Sequence, residues 1–136
     1  MRSAINMTII AGRPVAVVED DVSVRQSLLR LLRSSGRSAV GYESAEEFLM
    51  CYPRDTPCCE VLDIHLRGMS GIDLLEKLAS ENMAIPVVFI TAIEEAASGE
   101  ELRRPGVTCL QKPFDEAVLI QAIDAATGGS PAATGD

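Results

Sequence analysis

Four short apolar runs in this chain each end on a residue able to do chemistry. Val15 to Val18 is followed by Glu19, Asp20 and Asp21, Val61-Leu62 by Asp63, Val87 to Ile90 by Thr91, and Leu110-Gln111 by Lys112. Clustered carboxylates repel and raise one another's pKa unless a cation neutralises them. Hard oxygen donors with room for water suit Mg²⁺, above all where a phosphate completes the shell. An ionised aspartate beside such a cation can attack a phosphoryl donor and form an aspartyl-phosphate. Asp63 is the candidate nucleophile. The Thr91 hydroxyl and the Lys112 ammonium could then hold the new phosphoryl oxygens by hydrogen bonds and charge. Each residue alone also has a plainer role. Acids after a strand favour the start of a helix through the macrodipole, Asp63 could serve a turn, Thr91 could cap a helix with Glu94 three positions on, and Lys112 could be a solvated amine. Their joint placement at four run ends is what favours the site.

The elements that must position these groups alternate five times. Pro14 to Val18 is short, continuous and β-branched, as a strand buried on both faces should be. Val22 to Ser35 carries Val24, Leu28, Leu31 and Leu32 at helical spacing, with Gly36 as a stop. Ser38 to Tyr42 reads as a strand, and Ser44 opens a helix with a capping-box pattern through Glu47. After a loop bracketed by Pro53 and Pro57 comes the Glu60 to Leu62 strand. Ser70 caps a helix over 71–81 with Ile72, Leu75 and Leu78 on one face. Pro86 to Ile90 is a strand. The segment 94–104 is predicted helical, though Gly99 and Pro105 weaken and end it. Thr108 to Gln111 is a strand, and 115–127 a helix with Val118, Leu119, Ala122, Ile123 and Ala126 as its apolar set. This (βα)5 order predicts a single doubly wound α/β domain with a parallel five-stranded sheet and right-handed crossovers. In such sheets ligands bind beyond the carboxyl ends of the strands, where the chemistry-bearing residues fall.

A chain of 136 residues suits one domain. Its net charge of −8 argues against a nucleic-acid surface, which needs clustered Lys and Arg. No apolar run reaches the length of a membrane span, and the N-terminal MRSAINMTIIAGR lacks the h-region of a secretory signal. A soluble cytoplasmic protein is the expectation. Cys51, Cys58, Cys59 and Cys109 form no CxxC pair and no zinc-finger spacing. They are expected to be buried, reduced thiols.

The segments VAVVEDDVSVRQSL, VLDIHLRGMSGIDLLEKL, PVVFITA and CLQKPF resemble, in order and over residues 13–126, the receiver domains of two-component response regulators. They are most similar to those of FixJ-like, LuxR-class regulators. The resemblance implies a flavodoxin-like, CheY-like fold of sheet order 2-1-3-4-5. It divides the chain into an extension over 1–12, a receiver over 13–127 and a flexible tail or linker over 128–136. It makes Asp63 the phosphoacceptor, and Glu19, Asp20, Asp63 and the backbone carbonyl of His65 the ligands of Mg²⁺. Thr91 and Lys112 become the phosphate-binding switch pair, and Lys112-Pro113 a peptide that is often cis in this family. His65 and Ile93, two residues past the acceptor and two past the threonine, become the modulators of dephosphorylation. The partners implied are a sensor histidine kinase as donor and a downstream protein or fused output domain, with a homodimer possible through the 92–126 face.

Some positions depart from the family pattern. Glu19 stands where Asp is commoner and Arg67 where Pro is usual. The stretch 92–107 is one residue short, and Cys109 occupies the place of the switch aromatic, three residues before Lys112. The first three spare the chemistry, while the last two bear on signalling. The functional expectation is a phosphorylation-dependent switch working through the 92–126 surface. It is not an enzyme beyond self-phosphorylation from phosphodonors and slow autodephosphorylation. One alternative is a degenerate receiver that only binds partners. The other is a phosphatase of the haloacid dehalogenase type, disfavoured because the residue two past Asp63 is His65 rather than a second Asp.

Overall fold

The computed structural model describes residues 13–52, 56–82, 85–91 and 106–128. The strands are β1 (Val15–Val18), β2 (Ala39–Tyr42), β3 (Cys59–Asp63), β4 (Val87–Thr91) and β5 (Val107–Gln111). They pair in parallel in the order β2-β1-β3-β4-β5, the predicted order. The described helices are α1 (Val22–Ser34), α2 (Ala45–Cys51), α3 (Gly71–Ser80) and α4 (Glu116–Thr127). The predicted helix over 94–104, Ile93, and the segments 1–12 and 129–136 lie outside the described residues.

Continuous burial of β1, β3 and β4 follows from helices on both faces of the sheet. One layer joins Ala16, Val18, Leu62, Val87 and Phe89 to Phe48 of α2 and Leu74, Leu75 and Leu78 of α3. The opposite layer joins Val15, Val17, Val61, Val88 and Ile90 to Leu28, Leu29 and Leu32 of α1 and Leu119 and Ile123 of α4.

Several expectations are corrected in detail. In α3 Leu74 is fully buried and Ile72 only partly so. In α1 Leu29 is buried, whereas Val24 and Leu31 pack at its margin. Val118 is 39% exposed, because α4 turns only Leu119 and Ile123 fully inward. The Ser44 capping box is half formed. Ser44 Oγ accepts from Glu47 N, but the Glu47 carboxylate accepts from Glu43 N rather than from the cap residue. The complete box is at Ser70, whose partner is Asp73. Cys58 and Cys59 are buried free thiols, but Cys51 is half-buried and Cys109 is exposed.

An ion pair between a buried arginine and a half-buried aspartate ties α4 to the turn before β2. Arg37, in the turn before β2, is buried and pairs through Nη2 with Asp124 Oδ1 of α4. Removing one partner leaves a desolvated charge uncompensated, which costs about 3 kcal/mol. Asp124→Ala is expected to lower the thermal midpoint by roughly 8 °C or more, measured by circular dichroism at neutral pH. A midpoint within error of wild type would show that the pair contributes nothing net.

Candidate functional site

The parallel register dictates which side chains meet at the carboxyl end of the sheet. Val18 of β1 pairs with Leu62 of β3, so the next residues, Glu19 and Asp63, emerge side by side. Asp63 pairs with Ile90 of β4, which puts Thr91 one step beyond. Thr91 pairs with Gln111 of β5, with Lys112 next along the chain, and Lys112 N donates to Thr91 O at 2.8 Å. The Lys112-Pro113 peptide is cis.

Glu19, Asp20 and Asp63 each offer a carboxylate oxygen, and these lie within 4.8 Å of one another. Glu19 is buried, and Asp20 and Asp63 are half-buried. Burial pushes the Glu19 carboxyl up to about 7. The Asp21 N–H counters that rise, the charge of Asp63 and a hydrogen bond with it add to it, and Lys112 opposes it. A dehydrated carboxylate facing a second carboxylate is a group of charge that a divalent cation would relieve. The donor set is all oxygen, the kind a hard cation takes. Asp21 stands apart from the group. Its Oδ1 accepts from Ser23 N and Val24 N, so it is the N-cap of α1.

Thr91 is buried at the end of β4, and Lys112 is half-buried close enough for its charge to act on Glu19. His65 is exposed, and its backbone N–H donates to Asp63 Oδ1 at 3.1 Å. That bond ties the backbone two residues past Asp63 back to the Asp63 carboxylate. The structure therefore brings together four strand ends, as the run-end pattern predicts, while Ile93 is not among the described residues.

Three contributors were not anticipated from sequence. Arg25 Nη1 donates to the Glu19 carbonyl at 2.7 Å, tying α1 to the end of β1. Arg67 donates its backbone N–H to Asp20 Oδ2 at 3.2 Å, with Nε 3.8 Å from the same oxygen. A residue at the usual proline position thus supplies an N–H that proline lacks. Gly71 is the third. A Cβ there would lie 2.5 Å from Asp63 O and 3.0 Å from Phe89 Cε1, so only glycine lets α3 start against the end of β3. The signal that could have found it is a glycine at the first position of a capped helix, where a side chain would normally be tolerated.

Comparison with known proteins agrees with this geometry. The family model for the response regulator receiver domain matches residues 15–124. Nodulation protein W of Bradyrhizobium diazoefficiens is 42% identical over 114 residues, covering 83% of this chain and 50% of that protein. Transcriptional regulatory protein FixJ of Azorhizobium caulinodans is 37% identical, covering 86% of this chain and 56% of that one. The chain thus spans about half the length of these curated relatives. Among solved structures, a response regulator receiver protein from Burkholderia phymatum is 38% identical with a TM-score of 0.75, covering 88% of this chain and 98% of the other. No described helix is long and apolar enough to cross a membrane.

Proposed function

Since the chain belongs to the response regulator receiver family, whose domains are phosphorylation-based signalling switches, we propose that Asp63 accepts a phosphoryl group from the phosphohistidine of a sensor kinase. The observation that carries this reading is the gathering of Glu19, Asp20 and Asp63 at the carboxyl end of the sheet, with Thr91 ending β4 and Lys112 directly following β5. Glu19, Asp20, Asp63 and the His65 carbonyl would hold Mg²⁺, which when bound neutralises the carboxylates and the incoming phosphoryl oxygens. Asp63 is the nucleophile: its oxygen forms the new bond to phosphorus as the bond to the donor breaks. The His65 N–H orients the carboxylate through Oδ1. Thr91 Oγ1 donates to a phosphoryl oxygen, and Lys112 Nζ balances its charge. His65, two residues past the acceptor and exposed, is the side chain that would influence the access of water to the product. Signalling then proceeds by altered affinity for a downstream protein or an attached output domain, the 92–126 face being the contact surface.

Intact mass after incubation with acetyl phosphate tests the proposal. One phosphoryl group per chain is expected with Mg²⁺ and none after chelation. Asp20→Ala removes a direct anionic ligand and should weaken Mg²⁺ binding at least tenfold, read from titrated phosphorylation rates. An unchanged Mg²⁺ titration in that variant would move the metal site elsewhere.

A further inference from the structure

The connection from β3 to α3, residues 64–70, is held mainly by carboxylates. His65 N donates to Asp63 Oδ1, Arg67 N to Asp20 Oδ2, and Met69 N to Glu46 Oε2 at 2.9 Å; Ser70 N donates to Asp73 within the α3 cap. The first two acceptors belong to the cation site, and a metal or a phosphoryl group would draw on those same carboxylates. Glu46 is different. It stands in the first turn of α2, outside the three-carboxylate group, so filling the site does not compete for it.

A second observation marks the contact as built in. Gly68 has φ +76°, and a Cβ at that position would lie 2.6 Å from Glu46 Oε2. The backbone crosses over the Glu46 carboxylate in a conformation that L side chains rarely adopt, and in doing so aims the Met69 N–H at it. An amide donating to a carboxylate is among the stronger hydrogen bonds of a protein surface.

We propose that Glu46 is a positioning residue for phosphoryl transfer: a latch from α2 that keeps the 64–70 connection, and with it the His65 carbonyl, in place while Asp63 and Asp20 are engaged by metal and phosphate. The inference rests on the reading of Asp63 as phosphoacceptor. A competing structural role exists, because a first-turn acid also complements the α2 dipole. The two roles part on one substitution. Glu46→Gln keeps an acceptor oxygen and loses the charge; Glu46→Ala loses both.

The experiment measures phosphorylation by acetyl phosphate at subsaturating Mg²⁺, together with metal-free amide exchange at Met69. Glu46→Ala should phosphorylate about tenfold more slowly, the effect of one hydrogen bond to a charged group, and should expose the Met69 amide. Glu46→Gln should retain most of the rate and the protection. Gly68→Ala, whose methyl displaces the Glu46 carboxylate, should behave like Glu46→Ala. Wild-type rates in Glu46→Ala, or equal impairment in Glu46→Gln and Glu46→Ala, overturn the latch while leaving Asp63 as acceptor. A wild-type chain that takes no phosphoryl group overturns the parent reading and the latch with it, whatever Met69 shows.

Discussion

Asp63→Asn should abolish the acetyl phosphate adduct altogether, rather than slow its formation. The substitution is isosteric, and the amide oxygen can still accept the His65 N–H that Asp63 Oδ1 accepts at 3.1 Å. What disappears is the nucleophile, because a neutral carboxamide oxygen does not attack phosphorus at a useful rate. Removing one of three crowded carboxylates also relieves repulsion on Glu19, whose carboxyl is raised in part by Asp63. The variant should therefore fold at least as stably as wild type, so loss of the adduct cannot be ascribed to unfolding. Intact mass and thermal melting on the same sample check both halves. An equal yield of the same labile adduct in Asp63→Asn would place the acceptor elsewhere, whatever the geometry of the sheet end.

The second large effect is on stability and involves a residue with no part in the proposed chemistry. Glu60, on the central strand β3, is fully buried, and among the described residues neither of its carboxyl oxygens has a hydrogen-bond partner. It lies between Ala16 and Val87 in register and shares its face with Leu62, under α2 and α3. Burial alone pushes this carboxyl up to about 8. The Tyr52 hydroxyl, also buried and without a hydrogen-bond partner among the described residues, is raised first by its own burial and then by the charges of Glu81 and Glu60. With the folded pKa above the unfolded one, the native state keeps a proton that the unfolded chain releases between about 4.5 and 8. Stability should therefore decline as pH rises through that window and level off above it. The loss attributable to Glu60 is on the order of 4 kcal/mol.

Other groups titrate over the same range, so the measurement is a difference. Glu60→Leu replaces the acid with a hydrocarbon of similar volume. It should be more stable than wild type at both ends of the window, by about 1–3 kcal/mol at low pH, where the buried acid is neutral but unsatisfied. At pH 8 the gain should be several kcal/mol larger. Urea unfolding of both proteins from pH 4.5 to 8.5 gives the two curves. Curves that run parallel would mean that Glu60 gives up its proton in the folded chain as readily as in the unfolded one, so that burial does not raise its carboxyl.

Sequence alone determined the order of elements, the parallel class of the sheet and the identity of the groups at its carboxyl end. Those properties are local: continuous β-branched runs mark buried parallel strands, and a polar residue directly after a run must sit at the strand's end. The same logic led from Val18, Leu62 and Ile90 to Glu19, Asp63 and Thr91, which the register brings together. Helical spacing located the apolar faces but not their depth. Ile72 and Leu74 are both on α3, and only the angle at which that helix meets the sheet decides that Leu74 is the buried one. Cys109 reads as a buried strand residue, and only the folded chain shows it exposed on β5. Glu60 reads as an ordinary strand acid until helices close over both faces of β3. Contacts between residues far apart in the chain, such as Arg67 with Asp20, Met69 with Glu46 and Arg37 with Asp124, leave no periodic trace. They depend on where two loops or a loop and a helix come to rest, and only the folded chain sets those distances.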